Sequence, residues 1–193
     1  MPKTFAMAAN GSETRILASG PRTNPWFQEC GPRIIQDGDI VAFDTDLIGV
    51  YGMCCDISRT WLCGDGEPTP EQKRVYRHAY EQVQSNLAML RPGMGFKEFT
   101  EKANLAPKEF RHNRYGVLAH GLAFAMNIRA LLPEDYPSTG YDGVFEPGMA
   151  ICVESYCGTV GGSFGVKLEQ QVLITETGTE DITTYPYESR FLD

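Results

Sequence analysis

Residues 42–61 read AFDTDLIGVYGMCCDISRTW, two runs rich in β-branched and aromatic residues on either side of Gly52. This pattern predicts an antiparallel β-hairpin. Asp44 and Asp46 are two apart on the first strand and share one face, and Asp56 lies across the hairpin within reach of the same point. Crowded carboxylates repel one another, so either their pKa values rise or a cation lies among them. The alternative is that Asp44 and Asp46 only flank a strand end as turn or cap residues.

Three further candidate ligands lie in later strand-like runs. Glu154 in AICVESYCG and Glu169 in GVKLEQQVLI are each a lone acid among apolar residues, and His120 ends the run YGVLAH. Each acid alone is typical of an exposed strand position. Together with the hairpin they give up to five carboxylates and one imidazole, which suits Mn²⁺, Fe²⁺, Co²⁺ or Zn²⁺ and argues against copper or a thiolate zinc site. Two ions ~3.5–4 Å apart, bridged by carboxylates, would use this many acids.

The order of the elements indicates an α+β domain with a largely antiparallel sheet, because strands and helices come in blocks. Thr69 is the predicted N-cap of a helix that begins at Pro70. A shorter helix, GFKEFTEKANLAP, is predicted to end at Pro107. Residues 1–12 are predicted to be a disordered or tag-like terminus and residues 13–193 one domain. A chain of 193 residues with 42% hydrophobic content is long enough for one core.

The composition limits the classes of partner. A formal net charge of −8 argues against nucleic acid and against an anionic membrane surface. No apolar run approaches the ~20 residues of a membrane span, and the N-terminus lacks the apolar centre of a secretory signal, so a cytoplasmic location is expected. Six cysteines without C-x-x-C spacing are expected to be reduced, buried thiols, in preference to disulfides or a thiolate metal site.

Four segments of the chain, in sequence order, resemble the metal-binding motifs of the creatinase, aminopeptidase P and prolidase group of M24 peptidases. They read FDTDLIGVYGMCCDISRTW, LAHG, FEPGMAICVESY and GVKLEQQVLITETG. The resemblance extends from about Glu13 to Tyr187. It implies the pita-bread fold, a curved and largely antiparallel sheet with helices on one face. The stretch GPRTNPW and the Asp-Thr-Asp triplet look closest to a branch that includes the dimethylsulfoniopropionate lyases and proteins labelled as Xaa-Pro peptidases.

This resemblance implies a role for each candidate ligand. Asp56 and Glu169 would bridge two divalent ions, with Mn²⁺ or Fe²⁺ expected first and Co²⁺ or Zn²⁺ as alternatives. His120 and Glu154 would bind one of these ions, and both are the predicted catalytic residues.

The first aspartate of the family motif does not align cleanly. Its usual spacing falls on Thr45, so the role passes to Asp44 or Asp46. We predict that both bind the second ion. Asp46 is the preferred ligand because it lies nearer the metal-facing end of the hairpin.

The chain departs from the family downstream of His120. Peptidases of the group carry a second histidine there, and the lyase branch carries an aspartate that removes a proton from the substrate. This chain has Met126, Asn127 and Ile128 in that window, and the next acids, Glu134 and Asp135, lie in a turn-rich segment. The lyase mechanism therefore lacks its expected base.

The resemblance also concerns the N-terminal side. Members of the group carry an additional N-terminal domain and the first elements of the pita-bread half, whereas this chain begins near the second strand. The expectation is an N-terminally truncated pita-bread domain or a fragment. A shorter sheet exposes an edge, so a homodimer is expected.

Three functions remain open from the sequence. The first is a dinuclear metal-dependent hydrolase similar to Xaa-Pro peptidases, in which a metal-activated hydroxide attacks the carbonyl of a short peptide and Glu154 or another ligating acid shuttles the proton. The second is a metal-dependent lyase that cleaves dimethylsulfoniopropionate, a small molecule, to dimethyl sulfide and acrylate. The third is a pita-bread binding module without chemistry.

Three weaker candidates complete the set. Arg59 could orient one of the acids, as the family resemblance also suggests. His112 could contact substrate, although surface histidines are commoner. Tyr115 could line the pocket, although core packing is an equally good interpretation.

Overall fold

The computed structural model describes residues 11–12, 16–122, 129–131, 133, 137, 140 and 142–193. Its strands are β1 Gly11–Ser12, β2 Leu17–Ser19, β3 Ile40–Ile48, β4 Cys54–Leu62, β5 Val117–Gly121, β6 Arg129–Leu131, β7 Ala150–Gly158, β8 Gly165–Ile174 and β9 Thr179–Asp181. Its helices are α1 Pro70–Met89 and α2 Phe96–Lys102, with short 3₁₀ turns between elements. Across these ranges no helix has the length and apolar character needed to span a membrane.

Strands β3 and β4 form the hairpin that the sequence predicts. Their antiparallel register places Asp46 opposite Asp56 and Asp44 opposite Ser58. The turn between them contains Gly52, whose φ of 74° favours a residue without a β-carbon. Because directly paired residues of an antiparallel hairpin point to the same face, all three aspartates lie on one side. The predicted convergence of these acids is therefore built into the register.

A second sheet has the strand order β6-β5-β7-β8-β9, and all its pairings are antiparallel. It meets the first sheet where β4 runs beside the first half of β8. The contact is made by side chains: Thr60 Oγ1 donates to the main-chain oxygen of Lys167 at 2.8 Å and accepts from its N–H at 3.2 Å. The main-chain N–H of Asp56 donates to Gln171 Oε1 at 3.2 Å. This seam brings the hairpin acids next to β7 and β8.

The helices cover one face of the second sheet. On β7 and β8 every second residue points into the helix-covered core, which includes Ile151, Val153, Cys157, Val166, Leu168 and Val172. Helix α1 contributes Val75, Tyr76, Ala79 and Val83 to this core, and α2 contributes Phe96 and Phe99. Because side chains alternate along a strand, the intervening residues point to the opposite face, toward the hairpin. One face of the sheet is thus apolar, and the other carries polar groups.

Helix α2 is shorter than predicted. It ends at Lys102, whereas the sequence pattern indicates an end at Pro107. The reason is a tertiary contact: the N–H of Asn104 donates to Asn86 Oδ1 at 2.8 Å, and Asn86 Nδ2 donates to the main-chain oxygen of Asn104 at 3.1 Å. The chain after Lys102 is therefore held against α1 in a non-helical conformation.

The start of α1 provides a test of local stability. Thr69 Oγ1 accepts from the N–H of Gln72 at 3.2 Å, and Gln72 Oε1 accepts from the N–H of Thr69 at 2.8 Å, which is a complete capping box. Thr69→Ala is expected to lower the free energy of unfolding by about 1 kcal/mol. Thr69→Ser keeps the hydroxyl and is the matched control. Denaturant unfolding of both variants tests the cap, and equal stability of the two would contradict it.

Candidate metal centre

Four buried carboxylates, termed here the acid cluster, lie at the seam between the two sheets. They are Asp44 on β3, Asp56 on β4, Glu154 on β7 and Glu169 on β8. Glu154 and Glu169 are a directly opposed pair, and each is only 1% exposed. Both stand on the face of the sheet opposite the helices. The alternation of β7 and β8 therefore turns two lone acids in apolar runs into a single site.

His120 on β5 points one ring nitrogen at the acid cluster. Its Nε2 lies 3.2 Å from Glu169 Oε1, 3.3 Å from Glu154 Oε1 and 3.6 Å from Asp56 Oδ2. Its other nitrogen, Nδ1, lies 2.9 Å from the main-chain oxygen of Gly121. A hydrogen bond from Nδ1 to that oxygen leaves the Nε2 lone pair free to bind a cation when the ring is neutral.

The donor set fits a divalent cation. Glu154 Oε1 is buried and has no hydrogen-bond partner among the described residues, although it faces the His120 ring. The positive group that faces this oxygen is the His120 ring at 3.3 Å, and a cation between Glu154 and His120 would replace it when the ring is neutral. Oxygen and imidazole ligands of this kind suit first-row divalent ions. The structure therefore brings together Asp56, His120, Glu154 and Glu169, four residues that the sequence predicts as ligands.

Asp44 and Asp46 occupy different environments. Asp44 is buried and accepts a hydrogen bond from Ser58 Oγ at 2.5 Å. Asp46 is only half-buried and pairs with Asp56 across the hairpin. Both share the face of the acid cluster, and the preference for Asp46 as ligand stays a prediction.

Lys167 is a central residue of the site that the sequence analysis missed. Its side chain is fully buried, and its Nζ lies 2.9 Å from Glu154 Oε2, 2.9 Å from Glu169 Oε2 and 3.6 Å from Asp44 Oδ2. It also donates to Ser58 Oγ at 2.8 Å. The available signal was its position two residues before Glu169 on one strand, which places both side chains on the same face. Lys167 is thus a fixed internal cation that holds one oxygen of each glutamate.

Cys152 is a second residue whose position was missed. One ligand atom each from Cys152, Asp56, His120 and Glu169 lie within 4.8 Å of one another. All six cysteines lie in the described part of the chain and are free thiols, as expected. The expectation that they are buried holds for Cys152 and Cys157 and is wrong for the exposed Cys30 and for the partly exposed Cys54, Cys55 and Cys63. The sequence analysis argued against a thiolate zinc site and did not consider that one thiol lies beside the carboxylates and His120.

The charges of the site perturb its titration. Burial raises the pKa of Asp56 well above its usual range, and neighbouring carboxylates, Glu169 first, raise it further. Burial lowers the pKa of His120, but Glu154 and Glu169 outweigh it and raise that pKa to about 12. Burial works against ionised Glu169, yet Lys167 and His120 hold its pKa below the usual range. In the absence of a bound ion, Asp56 and His120 therefore carry protons at neutral pH.

The weaker candidates have different surroundings. Arg59 Nη1 donates to the main-chain oxygen of Glu169 at 2.5 Å, so it supports strand β8 and does not bond the carboxylate of Glu169. The Tyr115 ring lies 5.1 Å from Lys167 Nζ, which places it beside the site. His112 is exposed on the 3₁₀ turn Lys108–Asn113, and none of the described contacts joins it to the acid cluster.

The positions that distinguish peptidase from lyase lie outside the described residues. These are Met126, Asn127, Ile128, Glu134 and Asp135. The peptidase and the lyase are therefore distinguished at these positions by residue type alone.

Removal of the internal cation tests the charge balance of the site. Lys167→Met should destabilise the ion-free chain by about 3–5 kcal/mol, because it leaves buried carboxylates unpaired. A saturating divalent ion should recover part of this loss by replacing the missing positive charge. Thermal unfolding with chelator and with Mn²⁺ measures both effects.

The control is Lys102→Met, which removes an exposed partner of Glu98 and should change stability by less than about 0.5 kcal/mol. Equal shifts for the two variants would contradict the interpretation.

Protons held by Asp56 and His120 predict pH-dependent ion binding. Both folded-state pKa values lie above neutral pH, so ion binding must release at least the protons of Asp56 and His120, and affinity should increase as pH rises. Calorimetric titration of Mn²⁺ in two buffers with different ionisation enthalpies counts these protons. Identical heats in the two buffers would show that the ligands are already deprotonated.

Comparison with known proteins identifies relatives of this architecture. The family model described as metallopeptidase family M24 matches residues 4–176. The chain is 50% identical over 177 residues to the dimethylsulfoniopropionate lyase DddP of Roseovarius nubinhibens, an alignment that covers 91% of this chain and 40% of the lyase. It is 30% identical over 188 residues to the Xaa-Pro dipeptidase of Pyrococcus furiosus, covering 93% of this chain and 51% of the dipeptidase.

The fold comparison agrees with these relationships. The prolidase from Pyrococcus horikoshii matches with a TM-score of 0.75 at 25% identity, over 94% of this chain and 50% of that structure. This match confirms the predicted pita-bread fold. The chain spans 40% of the length of the lyase and about half the length of the dipeptidase and the prolidase. Because the family motifs, the fold and the sequence identity agree over most of its length, the chain belongs to metallopeptidase family M24.

Proposed function

We propose that this chain carries the active site of a metal-dependent hydrolase that cleaves short peptides of the Xaa-Pro type. The observation that carries the proposal is the convergence of His120 Nε2 with the oxygens of Asp56, Glu154 and Glu169, at 3.6, 3.3 and 3.2 Å. Side chains of this chemistry would hold a divalent ion at that point. When bound, the ion would supply Lewis acidity to the substrate carbonyl and lower the pKa of a water molecule.

The residues of the chain prepare the site for this chemistry. Lys167 holds Glu154 Oε2 at 2.9 Å, which keeps Glu154 Oε1 turned toward His120. In this proposal the carboxylate of Glu154, or another ligating acid, would accept a proton from water and deliver it to the leaving amine. The Tyr115 ring lies against the same lysine and shields it on one side. Burial of these groups strengthens their electrostatic interactions with substrate.

A lyase acting on dimethylsulfoniopropionate is the second candidate. It is favoured by the 50% identity to the lyase of Roseovarius nubinhibens, which exceeds the 30% identity to the Xaa-Pro dipeptidase of Pyrococcus furiosus. Against it stands Met126, which occupies the window where the resemblance places the proton-abstracting aspartate. A methionine cannot accept that proton. The window also lacks the second histidine of the peptidases, which weakens the hydrolase less, because an ion and a carboxylate can still support hydrolysis. For this reason the hydrolase is the first proposal.

Matched substrates separate the two reactions. The chain is stripped with chelator, reloaded with Mn²⁺ or Fe²⁺, and assayed for release of proline from Xaa-Pro dipeptides and of dimethyl sulfide from dimethylsulfoniopropionate. We expect dipeptide cleavage that depends on added ion. Release of dimethyl sulfide alone would favour the lyase, and no turnover of either substrate would favour a binding module without chemistry.

Variants test whether the activity belongs to this site. Asp56→Ala and Glu169→Ala should each lower activity and bound metal by about 100-fold or more, because loss of a ligand costs at least as much as loss of a group that orients one. Glu180→Ala removes an exposed acid on neighbouring β9 and is the matched control. Normal metal content in Asp56→Ala or Glu169→Ala would disprove the assignment.

A further inference from the structure

Cys152 lies beside the candidate metal centre. It stands two residues before Glu154 on β7 and therefore shares the face of Glu154. It is also the register partner of His120 across β5 and β7, so the two side chains are neighbours. Its ligand atom lies within 4.8 Å of those of Asp56, His120 and Glu169. Four strands, β4, β5, β7 and β8, thus bring these groups and the thiol to one point.

The surroundings of Cys152 differ from those of an ordinary core cysteine. Cys157, on the same strand, is equally buried but faces the helix-covered core with Val75 and Phe110 as members of the same cluster. Cys152 is fully buried on the opposite face, where it is the register partner of His120. A small apolar residue would fill this space without placing sulfur beside carboxylates. The face on which Cys152 lies therefore favours a function over packing alone.

A second feature of the site points independently to a bound ion. Glu154 is 1% exposed, and its Oε1 has no hydrogen-bond partner among the described residues while facing His120 at 3.3 Å. This oxygen would be satisfied by a cation located between the β5–β7 pair and the hairpin. Cys152 borders the same space.

We propose that Cys152 Sγ is a ligand of the ion held by Asp56, His120 and Glu169. Binding transfers the thiol proton to solvent and forms a sulfur–metal bond without any change of oxidation state. One sulfur in the ligand set gives the site a preference for thiophilic ions such as Co²⁺, Zn²⁺ and Cd²⁺ over Mg²⁺ and Mn²⁺. The proposal rests on the metal centre of the proposed function and is independent of the reaction catalysed there.

Cobalt spectroscopy detects the sulfur directly. Co²⁺ is titrated into the chelator-treated chain, with binding followed by calorimetry and the near-ultraviolet spectrum recorded in parallel. We expect a thiolate-to-Co²⁺ charge-transfer band that saturates with the bound ion. Cys152→Ser should lose the band, and the matched control Cys157→Ser should keep it. Cys152→Ser should also weaken Cd²⁺ binding by about tenfold or more while changing Mn²⁺ binding far less.

The outcomes separate this proposal from the proposed function. Co²⁺ binding without the band, or a band that persists in Cys152→Ser, would overturn sulfur ligation and leave the oxygen and nitrogen site intact. Absence of Co²⁺ binding to the unmodified chain would overturn the metal centre itself. X-ray absorption of the unmodified chain loaded with Zn²⁺ needs no variant. It should show a sulfur neighbour at about 2.3 Å, and its absence would overturn the proposal even if Cys152→Ser fails to fold.

Discussion

The structure depends on the burial of four carboxylates at the seam between two sheets. Buried acids without compensation cost several kcal/mol each, and here the acid cluster is compensated by Lys167 from one side and His120 from the other. Lys167 binds Oε2 of Glu154 and Oε2 of Glu169, which leaves Oε1 of each glutamate directed at the imidazole of His120. The contacts that compensate the buried carboxylates therefore also group oxygen and nitrogen atoms that could bind a cation.

The rest of the fold positions this seam. Helices α1 and α2 pack against the apolar face of the second sheet, so the opposite face is free to carry polar groups. The β3–β4 hairpin closes over that polar face and contributes Asp44 and Asp56. Arg59 and Thr60 join β4 to β8 through main-chain oxygens, which satisfies strand edges that would otherwise be buried without partners. Stability and the candidate chemistry thus share the same contacts.

Sequence patterns predicted the features that depend on local signals. Gly52 marks the hairpin turn and Thr69 the helix start, because turn and cap preferences act over a few residues. The convergence of the acids followed from strand alternation and the family motifs. The end of α2 was predicted wrongly because it is set by Asn86, a residue on another helix. The position of Lys167 was missed for a related reason, since its partner Ser58 lies 109 residues away along the chain. A lysine in a strand pattern usually indicates an exposed or edge position, and only tertiary structure identifies an internal cation.

The position of Cys152 also depends on tertiary structure. The expectation of reduced thiols agrees with the structure, but only Cys152 and Cys157 are buried, and composition does not distinguish these two. The two are separated by the face of β7 on which they lie and by the pairing of β7 with β5. Strand register, and not composition, therefore decides which thiol borders the acid cluster.

Anomalous diffraction from crystals grown with Mn²⁺ or Zn²⁺ tests the central claim most directly. The account predicts a peak at the absorption edge of the added metal, about 2.0–2.3 Å from His120 Nε2 and from oxygens of Asp56 and Glu169. Crystals in which these side chains keep their positions but show no such peak, or in which the ion lies elsewhere, would contradict it.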